Sequence, residues 1–167
     1  MPFAREIRSF YARKDGVTAV EFGLLATPFF LVVFFILETS LVFMAETSIN
    51  NAVERVAREV RLGSPIATTD GELRSLICAE VGYLLDCEKL HIDLRRYPTF
   101  EGISIPPIVQ DGSIATTFEA GESSIVMSLR VAYEWPIITN FMQRYLSTLE
   151  SGNHLIVVGT FLKSEPY

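Results

Sequence analysis

Val17-Thr18-Ala19-Val20-Glu21-Phe22-Gly23-Leu24-Leu25-Ala26-Thr27-Pro28-Phe29-Phe30-Leu31-Val32-Val33-Phe34-Phe35-Ile36-Leu37-Glu38 is the stretch that decides the fold. From Phe22 to Leu37 it carries no charged side chain, and past Glu38 the apolar character resumes through Leu41-Val42-Phe43-Met44-Ala45. With Glu38 near an interface, the segment reaches the ~20 residues that a bilayer core requires. The expectation is one membrane-spanning helix over 17–45; the competing reading of so apolar a run is a buried core helix of a soluble protein.

On its N-terminal side lies a short basic leader with Arg5, Arg8, Arg13 and Lys14, ending at Asp15-Gly16. By the positive-inside rule these cations keep residues 1–16 cytoplasmic and export the chain beyond the helix. An ordinary secretion signal also has a basic start and an apolar segment. Here the apolar segment is too long for one, and no small-residue cleavage site ends it.

Glu21 is the odd residue of the span, because a carboxylate drawn into the bilayer costs a few kcal/mol. Cleavage between Gly16 and Val17 would free an ammonium at Val17 one helical turn away, on the same face as Glu21. That charge could neutralise Glu21 of the same chain or of a neighbouring copy. The plainer reading leaves Glu21 solvated among headgroups. Pro28 removes one backbone hydrogen bond and invites a kink, which membrane helices tolerate when packed against neighbours; it can equally be inert in a single anchor.

Gly16, Glu21 at the fifth position after it, Phe22 beside it and a long apolar helix behind a basic leader resemble the type III signal of type IV prepilins. The run Gly16-Val17-Thr18-Ala19-Val20-Glu21-Phe22-Gly23-Leu24-Leu25 with Pro28 is similar in particular to TadE/TadF-like minor pilins, or pseudopilins, of the tight-adherence (Tad/Flp-type) pilus system. The resemblance implies that a membrane prepilin peptidase cuts between Gly16 and Val17, that Glu21 is the assembly residue pairing with a Val17 ammonium, and that Pro28 marks where the helix can loosen. It further implies an inner (cytoplasmic) membrane location, a periplasmic C-terminal domain, and other pilus subunits and minor pilins as partners. More softly, Tyr133-Glu134-Trp135-Pro136 and the ending Phe161-Leu162-Lys163-Ser164-Glu165-Pro166-Tyr167 look like turns and termini of TadE-like proteins. Whether the TadE-like or the TadF-like role applies stays open.

Composition agrees. The 167 residues suffice for this helix and one compact domain. The mean hydropathy is +0.31, and several of the 12 phenylalanines fall in the apolar stretch. The formal charge is −6, and loss of the four basic and two acidic side chains of residues 1–16 would take it to −8. That balance argues against a nucleic-acid partner, since phosphate binding needs a basic patch.

Beyond Ala45, Ile49, Ala52, Val53, Val56, Ala57 and Val60 recur at helical spacing while Glu54, Arg55, Arg58, Glu59 and Arg61 take the other faces. The helix therefore continues as an amphipathic extension over 46–63, closed by Gly63-Ser64-Pro65. One helix from about Val17 to Leu62 would be roughly 70 Å long.

The remainder, 64–167, reads as an α+β domain. Thr69-Asp70-Gly71-Glu72 fits a capping box opening a helix with Leu73, Leu76, Ile77, Val81 and Leu84 on its buried stripe. Leu90, Ile92 and Leu94 alternate with His91, Asp93 and Arg95, as in a half-buried strand. Residues 98–123, with Pro98, Pro106, Pro107 and the Asp111-Gly112 turn, read as a long loop with a short hairpin arm. Ile125, Met127, Leu129, Val131 and Tyr133 form a second alternating strand. Trp135-Pro136 leads to a helix over 137–149, and residues 154–161 to a third strand. The expected fold is α+β and pilin-like, a long N-terminal helix laid on a small antiparallel sheet.

Two cysteines, Cys78 and Cys87, in an exported domain argue for a disulfide, worth about 2 to 3 kcal/mol for so short a loop. A zinc set of Cys78, Cys87, His91 and His154 lacks the close cysteine pair of structural sites, so no metal or cofactor is expected. No nucleophile elbow, phosphate-cradling loop or metalloprotease helix is present, and the expectation is a non-enzyme. Tyr97, Phe100, Phe118, Tyr133 and Trp135 could line a recognition surface or fill the core. The reading is a pseudopilin needed for pilus assembly. The rival is an uncleaved single-pass anchored periplasmic binding or sensing domain whose helix is only a tether.

Overall fold

The computed structural model describes residues 16–62, 69–119 and 125–164. The leader before Gly16, the Gly63-Ser64-Pro65 stop, residues 120–123 of the long loop and the Glu165-Pro166-Tyr167 ending lie outside the described residues. The chain divides into two compact units, Met1–Thr39 and Ser40–Tyr167.

Helix α1 spans Val17–Arg61 and runs through Pro28 without interruption. In the first unit its side chains are exposed nearly throughout, including Phe22 at 71%, Leu25 at 73% and Phe29 at 62%. So apolar a surface left bare is what a helix needs when lipid or like helices are its solvent. Within the second unit α1 becomes one-sided: Ala45, Ile49, Ala52, Val53, Val56, Ala57 and Val60 are buried, with the charged positions turned away.

Helix α2, Asp70–Val81, starts at the expected capping box, in which the Thr69 hydroxyl accepts from the Glu72 amide and the Glu72 carboxylate accepts from the Thr69 amide. Leu73, Ile77 and Val81 are buried, whereas Leu76 and Leu84 are only partly so; Leu85 takes the inward position instead. The Gly82 backbone turns in so tightly that a side chain there would meet the Cys78 carbonyl at 2.7 Å. A short 3-10 turn, Cys87–Lys89, leads into β1, Leu90–Tyr97.

Next come the two-residue strands β2, Val109–Gln110, and β3, Ser113–Ile114. Their turn places Asp111 and Gly112 at φ 50° and 76°, the positive-φ pair of a tight hairpin turn. The hairpin arm thus forms where the Asp-Gly pair indicates. Strand β4 is Val126–Trp135, helix α3 Asn140–Leu146, and strand β5 His154–Lys163. Helix α3 is shorter than the expected 137–149: Thr139 is extended at its N-cap and Ser147 at its C-cap, and Ile137 is buried ahead of the helix.

Strands β1, β4 and β5 make one antiparallel sheet in that order. Leu90, Ile92 and Leu94 align with Tyr133, Val131 and Leu129, and those with Ile156, Val158 and Thr160. This face joins the α1 stripe and α2 in one core. The expected long N-terminal helix and small antiparallel sheet are therefore present, an α+β pilin-like arrangement.

The other face departs from expectation. A half-buried strand should leave Asp93 wet, yet Asp93 is 0% exposed, and along β4 Ser128, Arg130 and Ala132 are buried as well. The cause is the segment between β1 and β4, which folds back over this face. The Pro106 carbonyl accepts from Arg130, the Ser104 carbonyl from the Tyr97 hydroxyl, and the Thr117 amide donates to Asp93. Residues 117–119 also close the outer edge of β1, exchanging two backbone hydrogen bonds with Leu94.

Candidate functional site

Two places concentrate chemistry, the start of α1 and the covered face of the sheet. Gly16 stands immediately before α1 and is exposed, with open space where a side chain would lie. Val17, the first helical residue, is 52% exposed. Glu21 is exposed one turn further on, and the 3.6-residue period puts it on the face of Val17. The junction is thus an exposed glycine, a helix start and a carboxylate one turn in, next to apolar surface that nothing in the first unit covers.

Around Pro28, Thr27 donates its hydroxyl to the Gly23 carbonyl at 2.8 Å, satisfying polar groups within the helix in the way apolar surroundings demand. The rings of Phe29 and Phe30, and of Phe30 and Phe34, lie 5.5 and 6.3 Å apart. Glu38, which interrupts the apolar run, is 4% exposed.

The second place is one that the sequence pattern does not announce. Asp93 Oδ2 accepts from Arg130 Nη2 at 2.6 Å and Nε at 3.0 Å, both Asp93 oxygens accept from Arg95 Nε at 3.0 Å, and the Thr117 amide donates to Oδ1 at 2.8 Å. Burial alone would push the carboxyl up, but the hydrogen bonds from Arg95, Arg130 and Thr117 outweigh it and hold Asp93 below the usual carboxylate range. The same contact raises Arg95. Gly159, paired with Arg130 across the ladder, makes room: a Cβ there would meet Arg130 Cγ at 3.0 Å and the Leu129 carbonyl at 3.1 Å. A carboxylate fully engaged by two guanidiniums and an amide has no lone pair aimed at solvent and acts as a structural clasp. An arginine in the middle of a mostly apolar strand, Val126–Trp135, is the signal that could have found it.

Cys78 and Cys87 are joined as a disulfide with Cα atoms 5.8 Å apart, linking the last turn of α2 to the turn before β1. Neither is then a thiolate that could hold zinc. His154 Nδ1 lies 2.7 Å from the Leu146 carbonyl, fixing α3 to the start of β5. No cluster of three or more metal-binding side chains occurs among the described residues. Of the five aromatics considered for recognition, Tyr97, Tyr133 and Trp135 are buried, Phe118 packs against the core and only Phe100 is exposed, at 57%. Arg55 of α1 reaches across to Glu80 of α2 at 2.7 Å.

Residues 16–58 match the family model described as TadE-like protein. The match starts at the exposed Gly16, follows α1 almost to its end and includes none of the sheet. No curated protein and no solved structure matches the chain.

Proposed function

We propose, from a TadE-like segment at residues 16–58, that the chain is a minor pilin or pseudopilin of a Tad/Flp-type pilus, processed after Gly16 and assembled through α1. The supporting observation is the coincidence at one point of the chain: the family match begins at Gly16, α1 begins at Val17, and the exposed apolar surface begins directly behind. A peptidase needs a reachable bond, and the exposed glycine at the head of α1 is accessible.

In this reading the leader stays in the cytoplasm, α1 spans the inner membrane, and the domain from Ser40 onward is exported. Cleavage turns Val17 into a terminal ammonium. Among packed helices, where the effective dielectric falls, its attraction to Glu21 of an adjacent subunit grows and sets the axial register. An unmatched Glu21 in the same packing is penalised, so the pair selects one stagger of helices over others. The domain's helical and sheet surfaces then meet other pilus subunits. The role is structural, with no cofactor.

Glu21→Ala should leave membrane insertion intact and abolish co-purification with the pilus subunits. Unchanged incorporation would remove Glu21 from assembly.

A further inference from the structure

Among the described residues, the sheet closes one of its outer edges and leaves the other open. Along β1 the Leu90 carbonyl accepts from Arg74, Leu94 bonds to residues 117 and 119 through both its backbone groups, and the Arg96 amide donates to the Glu119 carboxylate. On the far side, β5 pairs with β4 and with no other strand.

The ladder dictates which backbone groups of β5 are left over. The Ser164 amide donates to the Ile125 carbonyl, next to the aligned pair Val126 and Lys163, so Ser164 faces β4. Alternation then turns Leu162, Thr160, Val158 and Ile156 toward β4, and Lys163, Phe161, Gly159, Val157 and Leu155 outward. The Leu155 amide agrees: it donates to the Thr148 hydroxyl at 2.7 Å. Thr148 closes the edge there and leaves the N–H and C=O groups of Val157, Gly159, Phe161 and Lys163 open over about 20 Å.

The side chains of this edge are bare as well. All four residues are exposed, Val157 at 42% and Phe161 at 43%, although their partners across the ladder, Ala132, Arg130, Ser128 and Val126, are buried. The segment folded over the second face therefore covers β4 and stops short of β5. A long apolar edge with unbroken register, no proline and a single lysine at its end is a template for another strand.

Each chain offers one such edge, so a second copy satisfies it and the assembly closes at two about a two-fold axis. With that axis normal to the sheet, the two β5 strands meet antiparallel. Thr148 blocks approach at Leu155, and the register that then uses all four open residues sets Val157 opposite Lys163 of the second copy and Gly159 opposite its Phe161. This register exchanges about eight backbone hydrogen bonds. It also lays each Phe161 ring over a glycine that has no side chain of its own, a cross-strand pair suited to edge glycines. Charge agrees: the two Lys163 lie about 20 Å apart, each toward the end of the other copy where Glu134 stands across from Leu155.

We propose that residues 157–163 of β5 form a homodimerisation edge, through which two copies join their sheets into one. The pairing involves only the second unit and is separate from any association through α1.

The test is amide hydrogen exchange, read residue by residue by NMR on the full chain in detergent micelles at low and high ratios of protein to micelle. At the low ratio Val158, Thr160 and Leu162 should exchange slowly, and Val157, Gly159, Phe161 and Lys163 fast. At the high ratio these four should slow by about tenfold or more as the dimer forms. Phe161→Lys, which sets two like charges diagonally across the axis, should abolish the slowing and leave the low-ratio pattern unchanged. Association without slowing of the four amides assigns the contact to another surface and overturns the proposal. So does the absence of association at every ratio, and so does slow exchange already at the lowest ratio, which means that the edge is covered within one chain. If Phe161→Lys does not fold, the exchange pattern of the unmodified chain decides alone.

Discussion

Asp93 holds the covered face of the sheet domain together. It is fully buried, holds two arginines and pins the segment between β1 and β4 through Thr117. Removing one partner of a buried ion pair strands the other, at a cost of about 3 to 5 kcal/mol. Asp93→Asn should therefore lower the stability of the domain by about that much, read from denaturant unfolding of the full chain in detergent.

The pH dependence has a definite sign. Because the folded-state pKa of Asp93 is lowered, the unfolded chain binds the proton more readily, and the clasp's contribution is fully present above the ordinary aspartate pKa of about 3.9. It is lost as pH falls through the lowered value. Wild-type stability should fall in this acid window, and Asp93→Asn should flatten that part of the profile. Gly159→Ala tests the same clasp from the neighbouring strand. A methyl group pressed against Arg130 and the Leu129 carbonyl should cost about 1 to 3 kcal/mol, measurable in the same unfolding experiment.

At the scale of elements, the parts most legible in the sequence are those governed by local rules. The apolar run gives α1, Thr69 and Glu72 give the start of α2, and Asp111-Gly112 gives the hairpin arm. Alternation locates β1 and β4, because one face of each must pack against α1 and α2, and β-branched content locates β5. What alternation cannot reveal is whether the second face is covered, since that depends on where a loop 24 residues away in sequence folds back, as Thr117 does onto Asp93. A helix over 137–149 overreaches for a related reason: Ile137 is buried ahead of α3, which runs only from Asn140 to Leu146. The disulfide between Cys78 and Cys87 ties the end of α2 to the turn before β1, so Cys78→Ser with Cys87→Ser should lower stability by about 2 to 3 kcal/mol while leaving the strand pairing intact by amide exchange.

For the whole molecule, one helix serves two solvents. Its first part exposes phenylalanine and leucine with no protein cover, and from Ala45 onward it supplies one wall of a conventional core. So long an exposed apolar stretch is consistent with a single-pass membrane anchor, and the TadE-like match along residues 16–58 indicates what kind of delivery to test. The candidate site is legible as residues, Gly16, Val17 and Glu21, because its signal is linear. The clasp at Asp93 is not, because it is assembled from distant parts of the chain.

The central claim is cleavage at one bond, and the mature N-terminus tests it most directly. The protein is extracted from membranes, with and without a co-expressed prepilin peptidase, and its intact mass and N-terminal peptide are measured. The account predicts a chain that begins at Val17 when the peptidase is present and retains Met1 when it is absent. A chain that keeps residues 1–16 in the presence of an active peptidase, or one cut beyond Ala45, would contradict the account; the first leaves a tethered domain and the second a secreted one.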